Sequence, residues 1–244
     1  MDSLSIVVPA YNEGRRLPAT LETLCAYLES SPMRTKEIVV VDDGSSDRTA
    51  EIVREWGARN PLVRLLQNPG NCGKGYAVRA GFGVARCEWV LLTDADLSTP
   101  IEDLSRLMAA IARSGADGAI GSRALDRKLV GKRQSLGREI SGRVFNLFVR
   151  LVTGLPYRDT QCGFKLFRRG VAQTLAARQR LEGFGFDVEI LFIARQLGYQ
   201  IEEVAVRWYN AEGTKVSLLK GLAAFGDPCR VRWNDLRGRY RQRS

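Results

Sequence analysis

The sequence predicts an α/β protein with a mostly parallel central sheet flanked by helices. Three observations predict it. Strand-like and helix-like segments alternate through the first half, the strand segments are continuously apolar, and polar clusters fall at the strand ends. Strands separated by helical crossovers run parallel and are covered on both faces, so their apolar residues do not alternate with polar ones. In such open sheets a ligand binds outside the carboxyl ends of the strands.

Leu4 to Val8 reads as a buried strand, after which Leu17, Leu21, Leu24, Cys25 and Leu28 share one helical face. Glu37 to Val41 is a second strand, followed by a turn and a helix presenting Ile52, Val53 and Trp56. Leu62 to Leu66 and Trp89 to Thr93 are two more strands. Between them Gly73 to Arg86 reads as a helix whose Ala77, Ala80 and Gly81 permit close packing. The second half is less regular. Ile140, Val144, Leu147, Phe148 and Leu151 make an apolar helical stripe with Arg138, Arg143 and Arg150 nearby. A helix is expected around Asp187 to Leu197 and a strand at Val204 to Trp208. With no linker or low-complexity stretch, residues 1–216 are expected to form one domain, and 217–244 a basic, amphipathic tail.

The 244 residues are 45% hydrophobic and 26% charged, ordinary globular values. Five scattered cysteines and the absence of His argue against a zinc site. The start lacks the basic-then-apolar order of a secretory signal. No run of about 18 apolar residues occurs, and a reducing cytoplasm is the expected location. The net charge of +10 is unevenly spread. Basic residues crowd Arg123 to Arg150, and again the tail after Cys229. Such surfaces attract phosphates on nucleic acid, anionic lipid or a small ligand. Few aromatics interleave the basic stretches and no reading motif is present, which argues against nucleic acid.

Asp94-Ala95-Asp96 follows an unbroken apolar strand, where two carboxylates one residue apart can face one hard cation. Magnesium and manganese prefer such oxygen ligands and keep water or ligand phosphates in the shell. A diphosphate would complete the coordination, and the metal would neutralise charge on a departing nucleotide diphosphate. At the second strand end, Asp42-Asp43-Gly44-Ser45-Ser46-Asp47 offers Asp42 to a nucleobase imino group or ribose hydroxyls, with Ser45, Ser46 or Asp47 capping the next helix. Asn71-Cys72-Gly73-Lys74-Gly75 reads as a tight loop whose amides and lysine suit an anion. The spacing is neither that of a P-loop nor that of a dinucleotide-binding turn.

These segments, taken with Val7 to Glu13, resemble glycosyltransferase family 2. Gly121-Ser122-Arg123, Asp159 to Phe167, Phe186 to Glu189 and Glu203 to Trp208 follow in order. The full set, from about Leu4 to Val216, is similar to the polyprenyl-phosphate sugar transferases, particularly the dolichyl-phosphate β-glucosyltransferases and their mannosyl relatives. The resemblance implies a GT-A nucleotide-sugar-binding fold and inverting transfer from a nucleotide sugar, UDP-glucose or GDP-mannose, to a polyprenyl phosphate. It assigns nucleotide-sugar binding to Pro9, Ala10, Tyr11, Glu13, Asp42, Asp43, Gly44 and Lys74, with Asp94 and Ala95 completing that surface. Asp94 and Asp96 would bind Mg²⁺ or Mn²⁺ and the diphosphate, and Arg123 the acceptor phosphate. Arg138 and Ser141 sit where a second arginine and a serine are expected. Mannosyl relatives often carry a Gln where this chain has Ser98, whereas Cys162-Gly163-Phe164-Lys165 and Trp208 through Lys215 look closer to the glucosyl branch.

A phosphate monoester has its second pKa near 6 and is largely a dianion at neutral pH, so its attack asks for positioning rather than a base. Asp187 and Glu189 are candidates for sugar or base contacts; with a neutral hydroxyl acceptor one of them would be the general base. A polyprenol acceptor lies in a membrane, so the protein is expected to dock peripherally at the cytoplasmic face. The Ile140 to Leu151 stripe, the face of Leu218, Leu219, Leu222 and Phe225, and the basic tail would meet anionic lipid. A membrane-protein partner is the alternative anchor.

Overall fold

The computed structural model describes residues 2–131, 136–209 and 225–241, and the side chains of 136–140 fall outside that description. Seven strands form one sheet: β1 Ser3–Ala10, β2 Thr35–Asp42, β3 Val63–Gln67, β4 Trp89–Leu92, β5 Gly118–Ser122, β6 Lys165–Arg168 and β7 Ile201–Ala205. Their order is β3-β2-β1-β4-β6-β5-β7. β1 pairs in parallel with β2 and β4, and β2 pairs in parallel with β3. β6 is antiparallel to both neighbours, and β7 rejoins β5 in parallel. The mostly parallel sheet is therefore present, with one reversed strand inserted in its second half.

The helices are α1 Leu17–Ser30, α2 Thr49–Arg59, α3 Lys74–Val84, α4 Leu104–Ser114, α5 Leu136–Thr153, α6 Arg169–Arg178, α7 Phe186–Gln196 and α8 Gly226–Leu236. Adjacent residues of each central strand feed opposite cores, because side chains alternate across a sheet. Val7, Val39, Val41, Val90 and Leu92 meet α3, α6 and α7 on one face. Ile6, Val8, Ile38, Val40 and Leu91 meet α1, α2 and α4 on the other. The small residues of α3 do allow close approach: a Cβ on Gly81 would stand 2.3 Å from Val7 Cγ1.

The strand expected at Val204 to Trp208 lies three residues earlier, and Trp208 instead makes an isolated parallel bridge to Val130. β7 is a half-buried edge strand carrying Glu202 and Glu203, so its apolar signal is weak. β5 and β6 escaped the apolar pattern for a similar reason. One is glycine- and alanine-rich, and the other begins with a fully buried lysine.

Among the described side chains of α5 the buried apolar residues are Phe145 and Val149, while Val144, Leu147 and Leu151 are 55%, 55% and 76% exposed. Phe225 packs its ring against Phe145 and Phe148, at 5.0 and 5.5 Å between centroids. α8 lies against α5 and α7, and Tyr240 beyond it is buried in the core. The 216/217 boundary and Leu218, Leu219 and Leu222 lie outside the described residues. Among the described residues no helix is long and apolar enough to cross a membrane.

Candidate active site

The sheet reverses its winding at β1: β2 and β3 lie on one side and β4 on the other. At such a switch point an open α/β sheet forms its ligand crevice, at the carboxyl ends of the strands. Pro9 and Ala10 end β1, Asp42 ends β2, and Asp94 follows β4 by two residues, so one edge gathers all three polar clusters.

Two residues here hold positive φ without being glycine, Asn12 at 53° and Leu97 at 45°. Such strain persists where surrounding bonds over-determine it, commonly at functional sites. At Asn12 those bonds are visible. Its amide donates to Ser45 Oγ at 2.8 Å, and its Oδ1 accepts from Ser46 N at 2.9 Å. The amide of Glu13 donates to Thr49 Oγ1 at 2.9 Å, while its carboxylate accepts from Arg16. The loops after β1 and β2 are thereby laced together beneath Tyr11, whose side chain stays exposed. Ser45 and Ser46 serve that lacing rather than cap α2; Asp47 Oδ1 accepts from Thr49 N at 3.0 Å instead.

The paired acids at the end of β2 differ in task. Asp42 is buried and accepts from Ser45 N at 3.1 Å and from Gln67 Nε2 at 3.2 Å. Asp43 uses both oxygens to fasten the next loop: Asn68 Nδ2 and Cys72 N donate to Oδ1 at 2.8 and 3.1 Å, and Gly73 N to Oδ2 at 2.7 Å. Two amides expected to face an anion are thus already committed. Gly44, at φ 71°, lies so close to Gly70 that a Cβ would meet its carbonyl carbon at 2.4 Å. What this loop presents to the crevice is Lys74, at the first position of α3.

Lys74 Nζ lies 2.6 Å from Asp94 Oδ1 and 5.8 Å from the Phe186 ring centroid. Burial works against its charge, but Asp94, Asp187 and Asp96 outweigh that and raise its pKa. The turn carrying Asp94, Ala95 and Asp96 is held by Thr20 Oγ1 donating to Ala95 O at 2.5 Å, and by Ser98 N donating to Asp96 Oδ1 at 3.0 Å. Asp94 lies directly over Gly163, where a Cβ would stand 2.1 Å from Asp94 Oδ2.

Behind this pair sits a buried one. Lys165 Nζ is fully buried, donates to Cys162 O at 2.7 Å and contacts Asp187 Oδ1. Burial raises the Asp187 carboxyl above its ordinary value, with Lys165 and Lys74 pulling against it. Glu189 is absorbed structurally. It accepts from Arg180 N at 3.0 Å, Leu181 N at 2.8 Å and Tyr240 Oη at 2.7 Å.

Arg123 leaves the end of β5 and is gripped by Asp159. Its Nε and Nη2 donate at 2.7 and 2.9 Å, and its amide at 3.0 Å. Burial opposes the Asp159 charge, yet Arg123 holds that carboxyl below its usual value. Asp159 is itself held through its amide by Glu203 Oε1 at 2.8 Å, and Trp208 packs 5.7 Å from the guanidinium. The guanidinium is thus oriented, with Nη1 left outside the Asp159 clamp. Ser141 is exposed on α5, and the Arg138 side chain lies outside the described residues. Asp159, Gly163 and Lys165 share one sequence motif that by itself assigns them no role; the structure supplies them as partners of Arg123, Asp94 and Asp187.

Among the described residues no cluster of three or more carboxylate or thiol ligands could hold a metal. Asp94 and Asp96 still fit a hard cation. Both are all-oxygen donors on one tight turn at the crevice, and the site already attracts the cationic Lys74.

A family model described as glycosyl transferase family 2 matches residues 5–176. The chain is 36% identical over 253 residues to a dolichyl-phosphate beta-glucosyltransferase of Dictyostelium discoideum, covering 99% of this chain and 77% of the relative. It is 40% identical to the dolichyl-phosphate beta-glucosyltransferase of Drosophila melanogaster, covering 88% and 69%. Glucosyl-3-phosphoglycerate synthase from Mycobacterium tuberculosis, solved with Mn²⁺, UDP-glucose and phosphoglyceric acid, superposes with a TM-score of 0.64 at 17% identity. That match covers 94% of this chain and 80% of the other, a likeness of fold. The crevice at the sheet's switch point is that of a GT-A fold, and this chain is a glycosyltransferase belonging to glycosyltransferase family 2.

Proposed function

We propose that this enzyme transfers glucose, with inversion, from UDP-glucose to the phosphate of a membrane polyprenol. The observation that carries the reading is the presence of two charge-handling groups: acids with Lys74 after β4, and an oriented Arg123 after β5. Relatives named dolichyl-phosphate beta-glucosyltransferase, matched over most of their length, support the donor and the acceptor class.

Pro9, Ala10, Tyr11, Glu13, Asp42, Asp43 and Gly44 form the nucleotide end. Asp42 reads the base or ribose, and Asp43 shapes the loop that delivers Lys74. A divalent cation, Mg²⁺ or Mn²⁺, would be held by Asp94 and Asp96 and would stabilise negative charge on the leaving nucleoside diphosphate. Lys74 adds a second positive charge beside that diphosphate. Arg123 offers the face left by Asp159 to the acceptor phosphate, with Arg138 and Ser141 as further contacts. A phosphate monoester is largely a dianion at neutral pH, so its oxygen attacks without surrendering a proton. That suits a chain with no His, and an Asp187 committed to Lys165. Asp187 then lines the sugar pocket instead of acting as a base.

Residues 1–216 are the catalytic domain in this reading, and 217–244 an extension that meets the membrane. The enzyme docks peripherally at the cytoplasmic face. Val144, Leu147 and Leu151 expose an apolar stripe on α5, flanked by the exposed Arg143 and Arg150. An amphipathic helix of that kind binds anionic interfaces.

Radiolabel transfer from UDP-glucose or GDP-mannose to a short polyprenyl phosphate, with Mg²⁺ or Mn²⁺, tests the function. Lipid product from UDP-glucose, lost in Asp96→Ala, is expected. Donor hydrolysis without lipid product would reject the acceptor and move the assignment to a soluble one.

A further inference from the structure

Around the end of α6 and the segment that follows it, five arginines line a cleft of about 750 Å³: Arg178, Arg180, Arg237, Arg239 and Arg241, with Gly238 at the turn. None of the five makes an ion pair with a carboxylate among the described residues. Arg239 Nη1 donates to Asn234 Oδ1 at 3.1 Å, and Arg237 stacks 4.4 Å from the Trp233 ring centroid.

The crowding is built into the fold. Two chain segments, 178–181 and 237–241, meet over the buried carboxylate of Glu189. One donates the amides of Arg180 and Leu181 to Oε2, and the other donates Tyr240 Oη to Oε1. Asn234 Nδ2 donates in turn to Tyr240 Oη at 3.3 Å, and Gly238 makes the turn at φ 68°. Neighbouring guanidiniums repel one another, and an anion between them relieves that repulsion. Guanidinium forks match phosphate oxygens in particular. Beside the cleft α8 exposes Trp233 and Leu236, at 55% and 74%. A ring and a leucine next to clustered cations suit the boundary between headgroups and acyl chains.

We propose that this five-arginine cleft is a binding site for the phosphate headgroup of an anionic phospholipid, separate from the donor and acceptor sites. The inference rests on the reading that the enzyme works at a membrane. It names a discrete contact where that reading requires only general docking.

Flotation of the full chain with phosphatidylcholine vesicles, with and without phosphatidylglycerol, tests it. The wild type is expected to float only with phosphatidylglycerol. Arg178→Gln/Arg180→Gln/Arg241→Gln should bind those vesicles on the order of 100-fold more weakly, about fivefold per cation near an anionic surface. A control with equal charge loss elsewhere, Arg34→Gln/Arg59→Gln/Arg113→Gln, should bind like the wild type. Equal loss in both triple variants would overturn the site in favour of diffuse attraction. Unchanged binding in the cleft variant would also overturn it. Tripolyphosphate bound in the cleft, with no vesicle binding, would overturn the lipid assignment in favour of a free anion. Transfer to a short-chain polyprenyl phosphate without vesicles reads the proposed function separately, and both triple variants should retain it. A wild type inactive in that assay defeats the functional reading, whereas the vesicle comparison alone decides the cleft.

Discussion

Replacing Asp187 by Asn leaves the ammonium of Lys165, fully buried, without its counter-charge. Removing one partner of a buried ion pair costs about 3–5 kcal/mol, because the surviving charge stays desolvated. The lower end applies here, since Cys162 O still accepts from Lys165 and the amide can replace one hydrogen bond. For a chain of this size, about 3 kcal/mol corresponds to a melting temperature lower by roughly 6–12 °C. Lys165→Met should cost less, because Asp187 keeps the nearby Lys74 as an electrostatic partner. The double variant Lys165→Met/Asp187→Leu replaces both charges with apolar volume and should recover to within about 1 kcal/mol of the wild type. Thermal unfolding followed by circular dichroism measures all four proteins, and transfer assays follow on the folded ones. If Asp187 lines the sugar pocket, the double variant is stable and inactive. An Asp187→Asn protein melting with the wild type would refute the desolvated pair. So would a double variant as unstable as Asp187→Asn.

Three further outcomes are expected. Gly163→Ala places a methyl 2.1 Å from the Asp94 carboxylate, the movable end of a side chain; transfer should fall at least about 100-fold, as when one charge-stabilising group is lost, with little change in melting temperature. Lys74→Met removes the cation lying 2.6 Å from Asp94, so Mn²⁺ binding read by electron paramagnetic resonance should tighten without nucleotide while UDP affinity falls; weaker Mn²⁺ binding would contradict the competition. The Asp159 carboxyl is held below its ordinary value. Its stabilisation is therefore complete above the unfolded value of about 3.9 and lost as pH falls through the lower folded value. The melting-temperature gap between wild type and Asp159→Asn should be full at neutral pH and close below about pH 4, and a gap independent of pH would reject the assignment.

The sequence by itself determined the first half of the fold and the gathering of three polar clusters at one edge of the sheet. β-branched runs such as Ile38-Val39-Val40-Val41, alternating with helical segments, read as parallel strands covered on both faces, and acids just past such strands sit at the sheet's carboxyl edge. Near neighbours in sequence carry that information. The tertiary structure alone decided the rest, because the partners are distant along the chain. No neighbour in sequence marks Lys165 as buried; slotting β6 between β4 and β5 puts it inside the protein against Asp187. Arg123 reads as an acceptor-phosphate arginine, and only the fold shows Asp159 closing on it from 36 residues away. Glu189 reads as a site acid until the segment after α6 and Tyr240 consume its oxygens. A buried charge is defined by what desolvates and pairs it, and a local pattern of residue types does not encode that.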